Sequence, residues 1–206
     1  MRVLGRVTSI NVRKVLWALD EMGAVYDRED WGLPLRDPKV PEFLALNPNG
    51  QVPVLVDGDF ALWESNAILV YLADKAAPGQ LLPTDLQQKG RVLQWLGWQA
   101  AELNPAWGYA VMALQRKTPG YDDPQAIAAS LERWTARLDI LEAELGRNGP
   151  FLGGSVFSIA DIAIGLSTHR WMCLPADRKS LPAVEAHYQR LLERPAGARW
   201  MSPATP

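Results

Sequence analysis

The chain has 206 residues, 48% of them hydrophobic, which is enough to bury a sizeable core in one large domain or two small ones. Lys plus Arg (21) nearly balance Asp plus Glu (23), so the charge recommends neither nucleic acid as a partner nor an acidic disordered tail. The single cysteine, Cys173, excludes an internal disulfide, and with neither a signal segment nor a membrane-length apolar run the expectation is a cytoplasmic protein with no membrane partner. In chain order, residues 2–7 (RVLGRV) predict a short strand. Val12, Val15, Leu16, Leu19 and Met22 then recur at helical spacing until Gly23 supplies a stop. Residues 25–30 predict a weaker second strand, and a Pro-punctuated stretch with Phe43 and Leu46 predicts a short helix ending near NPNG. VPVLVD, a turn at Asp57-Gly58 and FALW together predict a hairpin, after which Ser65 opens a helix through Ile68, Leu69 and Leu72. The order is β-α-β-α-β-β-α, and a hairpin joined to helical crossovers implies a mixed sheet.

Residues 77–85 (APGQLLPTD) read as a linker, and beyond them strand signals disappear. From Gln87 the pattern is helical, with Pro105 expected to kink or divide the first long segment. Asp123-Pro124 opens the clearest helix, with Ile127, Leu131, Trp134, Leu138, Leu141 and Leu145 down one face, a stripe that reads as core. SIAD (158–161) has capping-box spacing with Asp in place of the usual Glu, and it opens an apolar helix; a last helix is expected over residues 182–193.

Several chemistries lack their residues. There is no Gly-rich phosphate loop, no G-x-S-x-G elbow and no Cys or His cluster at metal-ligand spacing. His169 and His187 read as isolated structural or surface histidines, and Cys173 as a small hydrophobe within an apolar helix. The nine tryptophans are divided in expectation between core and the walls of a pocket for flat apolar ligands. Pro53 is anomalous, because proline cannot donate to a sheet ladder and here follows Val52 at the start of a strand.

The layout carries three motifs in order: TSINVRKVLWALDEMG (8–23), NPNGQVPVLVDGDFALWESNAILVYLADK (47–75) and SIAD. Together they resemble the cytosolic glutathione transferases over essentially the whole chain, most closely the bacterial and plant phi/theta-like types whose catalytic residue is serine. The resemblance implies an α/β thioredoxin-like domain over residues 1–77, a linker over 78–86 and an all-α helical-bundle domain over 87–206. It also implies glutathione as co-substrate without a metal, a homodimer, and detoxifying transfer of the glutathione thiolate to a small hydrophobic electrophile.

Residue by residue, the resemblance implies a cis Val52-Pro53 bond that turns the Val52 backbone outward to pair with the cysteinyl part of glutathione. Glu64-Ser65, at a strand-to-helix junction, would meet the γ-glutamyl zwitterion, the amides and hydroxyl taking its carboxylate and Glu64 its ammonium. Gln51 and Lys39 match positions that contact the glutathione backbone and glycyl carboxylate. Three residues compete for the thiol: Ser9 has the spacing of the catalytic serine in plant-type relatives, Asn11 stands where another branch places asparagine, and Thr8 adjoins them. A hydroxyl there would donate to the sulfur; one charge-assisted hydrogen bond, about 1.5–3 kcal/mol, matches the roughly 1.4–3 kcal/mol needed to lower a thiol pKa by one to two units. No cysteine stands at residues 8–11, which favours conjugation over thiol transfer. For the second substrate the candidates are Ile10, Trp107, Tyr109, Met112 and Arg116, each with a core or dimer-contact alternative. Glutathione-dependent peroxidase or isomerase activity, and a non-catalytic glutathione-binding or regulatory protein of this fold, are the competing readings.

Overall fold

Alternation along a short strand decides which face of the first domain each residue joins. The computed structural model describes residues 1–76 and 78–202; residue 77, where the first domain was expected to end, and residues 203–206 lie outside the described residues. Strand β1 (Arg2–Leu4) lies parallel to β2 (Asp27–Glu29) across helix α1 (Ile10–Glu21) and antiparallel to β3 (Val54–Asp57), which turns into β4 (Phe60–Trp63). The order β2-β1-β3-β4 is the mixed sheet expected from the thioredoxin-like layout. Val3 and its partner Leu55 face the main core with α1 and α3 (Ser65–Ala76), while Leu4 and Val54 face Trp31 and Phe43, the latter on α2 (Pro41–Leu44). A one-residue slip would exchange the two faces, so burial pins the register.

The strands are shorter than the sequence suggests. Just past β1, Gly5 lies so close to the Val12 side chain, with Val52 beside it, that there is no room for a Cβ. That close approach sets the start of α1 beside the start of β3, where the candidate site lies.

The second domain is helical throughout. Asp85 caps α4 (Leu86–Trp98) by accepting from the amides of Gln87 and Gln88 at 3.1 and 2.9 Å. Pro105 does not divide the path that follows: the chain widens into a π-turn at Gln99–Leu103, continues as α5 (Asn104–Ala110) and widens again at Val111–Gln115. A wide turn immediately before proline accommodates its ring and missing N–H without breaking the helix. Helix α6 (Pro124–Asn148) buries Trp134, Leu138, Leu141 and Leu145 as its stripe requires. Helix α7 (Ile159–Met172) is buried from Ile159 to Trp171 and packs on α1, α3 and α4, joining the domains; α8 (Pro182–Leu192) and a short α9 (Pro195–Trp200), not foreseen, complete the described chain.

The SIAD capping box forms, and its aspartate does more than cap. Asp161 accepts from the Ser158 amide and the Leu152 amide, each at 2.8 Å, from the Ser158 hydroxyl at 2.9 Å, and meets His187 Nε2 at 2.9 Å. His169 lies between the Tyr188 hydroxyl at 2.9 Å and the Ser202 carbonyl at 3.0 Å, and burial holds it down to about 4. Burial pushes the Cys173 thiol up, against activation. No described helix is long and apolar enough to cross a membrane.

Candidate active site

Three separate segments of the first domain converge on one cleft. Asn11 comes from the first turn of α1, Gln51, Val52 and Pro53 from the approach to β3, and Glu64 and Ser65 from the junction of β4 with α3. The Val52–Pro53 bond is cis, and among the described residues nothing bonds to the Val52 N–H or C=O. An unpaired donor and acceptor on adjacent edges of one residue are what an incoming extended peptide pairs with. The loop that presents Val52 is held from behind. Buried Asn47 donates to the Gln51 carbonyl at 2.7 Å and accepts from the Asn49 amide at 3.0 Å. Gly50, at φ 58°, lies directly under the Lys39 side chain, a conformation and a contact only glycine permits, and Lys39 Nζ donates to the Asn49 carbonyl at 2.7 Å.

At the other end of the cleft Glu64 adopts φ 72°, the left-handed region, which costs a non-glycine residue about 1–2 kcal/mol. The turn lets its exposed side chain and the free amides of the first turn of α3 face the same space. Ser65 is buried, and its hydroxyl accepts from Lys14 Nζ at 3.4 Å.

Lys14 is the site residue that the sequence reading passed over. It is 1% exposed, donates to Asn66 Oδ1 at 3.1 Å and Gln99 Oε1 at 2.9 Å, and forms no ion pair among the described residues. Burial pushes its ammonium down to about 7, with Glu64 pulling it up and Arg170 pushing it further down. Gln99 donates in turn to Asn104 Oδ1 at 2.9 Å and Ser167 Oγ at 3.1 Å, so the polar chain beneath Ser65 continues into the second domain. Lys14 adjoins Arg13, a charged pair that spacing alone reads as a solvent face, although α1 is buried from Val12 to Leu19.

The three residues proposed for the thiol occupy different settings. Ser9 is the N-cap of α1, with no side-chain capping bond, and is half-buried. Asn11 lines the cleft, and its Oδ1 is buried without a partner. Thr8 is exposed, its hydroxyl accepting from Arg6 at 2.7 Å.

The second-substrate candidates divide. Ile10 is packed in the main core. Tyr109 packs at a tilt against Tyr121, ring centroids 5.0 Å apart, and accepts from the Asp123 amide at 3.4 Å, at the start of α6 and not in the cleft beside Val52. Met112 accepts from Arg116 through its sulfur at 3.6 Å, and Trp107 lies half-buried under the Arg170 guanidinium. Arg116 lines a cavity of about 460 Å³ that adjoins the cleft through Gln51 and Val52.

Residues 1–74 match the glutathione S-transferase N-terminal domain and residues 124–190 the glutathione S-transferase C-terminal domain. The chain belongs to the glutathione S-transferase family. It is similar to glutathione S-transferase GstB of Escherichia coli K12, with 35% identity over 93% of each chain. The disulfide-bond oxidoreductase YfcG of the same organism is 35% identical over 76% of this chain and 74% of its own. Among solved structures, the theta class glutathione S-transferase of Xanthomonas axonopodis pv. citri with glutathione bound is 36% identical, with a TM-score of 0.91 over 98% of this chain and 96% of that one.

Proposed function

We propose that this protein is a glutathione transferase that binds glutathione as an extended strand along the cleft and directs its thiolate at a small electrophile. The observation that carries the reading is the unpaired Val52 backbone lying in one cleft with Asn11 and Glu64-Ser65. In this arrangement the cysteinyl amide and carbonyl pair with Val52, the γ-glutamyl carboxylate meets the Ser65 hydroxyl and amides, its ammonium meets Glu64, and Lys39 and Gln51 receive the glycyl end. Lys14, behind Ser65, adds a buried positive charge to the carboxylate subsite. The thiol then lies at the N-terminus of the 12-residue α1, whose dipole favours an anion, with Ser9 and Asn11 as its hydrogen-bonding side chains. Its proton leaves to solvent, and the thiolate sulfur forms a bond to the electrophilic carbon as a leaving group departs or a conjugated bond takes up a proton.

Retention of the wild-type chain on immobilised glutathione, weakened in Ser65→Ala, tests the binding half. Conjugation of glutathione to a panel of electrophiles tests the chemistry. A chain that passes through the matrix unretained overturns the reading. A second activity, glutathione-dependent reduction of a hydroperoxide or disulfide by the same thiolate, is favoured by the likeness to a named disulfide-bond oxidoreductase, and hydroperoxides and disulfides belong in the same panel. We further propose domain limits of 1–77 and 87–206 around a linker of 78–86, a cytoplasmic location and a homodimer. Exposed Phe60 and Leu93 are apolar surface that a second copy would cover, and light scattering coupled to size exclusion measures the state.

A further inference from the structure

The cavity of about 460 Å³ beside Val52 is lined from the first domain by Arg6 and Lys39 and from the second by Arg116, against a single carboxylate, Asp37. None of the three cations forms an ion pair among the described residues. Arg6 donates to the Thr8 hydroxyl at 2.7 Å, Lys39 to the Asn49 carbonyl at 2.7 Å and Arg116 to the Met112 sulfur at 3.6 Å, a weak acceptor. The cavity therefore stays positive after Lys39 has received the glycyl carboxylate.

A second observation deepens this charge. Arg170, on α7, is 1% exposed, with its guanidinium 4.7 Å from the centre of the Trp107 ring, and no described residue accepts a hydrogen bond from its side chain or forms an ion pair with it. Its Nε is buried without an acceptor, and so is Trp107 Nε1. Burial, with repulsion from Arg116 and Arg13, lowers Arg170 to about 9. Burying a cation without a counter-charge is unfavourable, and a bound anion offsets that cost. The cavity beside Val52 is thus lined by donors and positive charge, which a purely apolar substrate does not require.

We propose that the second substrate is an electrophile carrying a carboxylate or comparable anionic group, held by Arg116 in the cavity beside Val52, with Arg170 on Trp107 reinforcing the field. The proposal rests on the reading of the neighbouring cleft as the glutathione site. For a halogenated aromatic acid, the thiolate sulfur forms the new bond to the ring carbon, halide leaves with the bonding pair, and the carboxylate is unchanged.

The test uses two stable conjugates of the same shape, S-(para-carboxybenzyl)glutathione and S-(para-carbamoylbenzyl)glutathione, with their affinities and that of glutathione measured by titration calorimetry. The carboxylate conjugate is expected to bind at least about tenfold more tightly, with a preference that shrinks as salt rises and falls to about twofold or less in Arg116→Gln. Arg170→Met should reduce the preference too; Arg116 is exposed, so its variant reports even if the Arg170 variant does not fold. Equal affinity for the two conjugates, or a preference untouched in Arg116→Gln, overturns the proposal while leaving the glutathione site standing. Failure of glutathione and both conjugates to bind overturns the site and the proposal together.

Discussion

Replacing Lys14 with methionine keeps most of the length of the side chain and removes the charge hydrogen-bonded to the Ser65 hydroxyl. Lys14 Nζ lies 3.4 Å from that hydroxyl, and a carboxylate bonded to it lies about 2.7 Å beyond, so the two charges would be roughly 6 Å apart. At an effective dielectric constant of about 20 this attraction is about 2–3 kcal/mol, or about two pKa units on Lys14. The sign follows from its lowered value. Free of ligand, Lys14 is charged below about 7 and neutral above it; with the carboxylate bound it stays charged to about 9. The groups that face it are Ser65 and Asn66 of α3 and Gln99 of the second domain, with Glu64 attracting and Arg170 repelling. S-methylglutathione, which has no thiol to titrate, should therefore bind at pH about 8 with uptake of most of one proton, read from calorimetry in buffers of different ionisation enthalpy. At pH about 6, Lys14→Met should bind it roughly 30- to 150-fold more weakly, and the difference should narrow as pH rises towards 9. Without ligand the unfolded chain keeps this proton up to about 10.5 while the folded chain releases it near 7, so stability should rise with pH across that window, and the variant should lose the slope. Equal affinity of variant and wild type at pH 6, with no proton uptake at pH 8, would refute the reasoning.

Glu64→Gly removes the left-handed strain at φ 72° together with the partner of the γ-glutamyl ammonium, so it should stabilise the fold by up to about 1 kcal/mol while weakening glutathione binding. Thermal melts and calorimetry of the same variant read both effects. Asp161→Ala strips acceptors from the Ser158 and Leu152 amides and a partner from His187, all buried together; it should cost about 3 kcal/mol or more, lowering Tm by roughly 6–12 °C. His169 has its folded-state value lowered from 6.5 to about 4, so the unfolded chain takes up the proton first and stability is lost as pH falls through that window. Melts between pH 6.5 and 4 should reveal a loss of up to about 3 kcal/mol that His169→Gln reduces.

The parts of this architecture that a period reveals were legible in the chain. The alternation around Val54–Asp57, the stripe of α6 and the SIAD cap each specify a local structure through residues close in sequence, and each appears where that pattern stands. The π-turns around α5 were not legible, because an extra residue in one turn barely alters the spacing of apolar positions, and Pro105 read as a break. Helix α9 is six residues long, too short to display a period. Of the candidate site, the backbone device at Val52-Pro53 and the junction at Glu64-Ser65 were marked by local chemistry. Lys14 and Arg170 were not, since a cation in an apolar helix is read as its solvent face until the packing of α1 and α7 against other helices buries it. Trp107 and Arg170 meet only through the packing of two distant helices, a contact that no sequence window contains.

The central claim is that glutathione binds here with its thiol activated at the start of α1. The most direct measurement is the ultraviolet difference titration of the thiolate in the wild-type complex and in Ser9→Ala and Asn11→Ala. Bound glutathione should ionise one to two units below the usual thiol value of about 8.5, with the shift reduced in the variant whose side chain holds the sulfur and binding largely retained. A bound thiol that titrates at its free value in all three proteins would contradict the account.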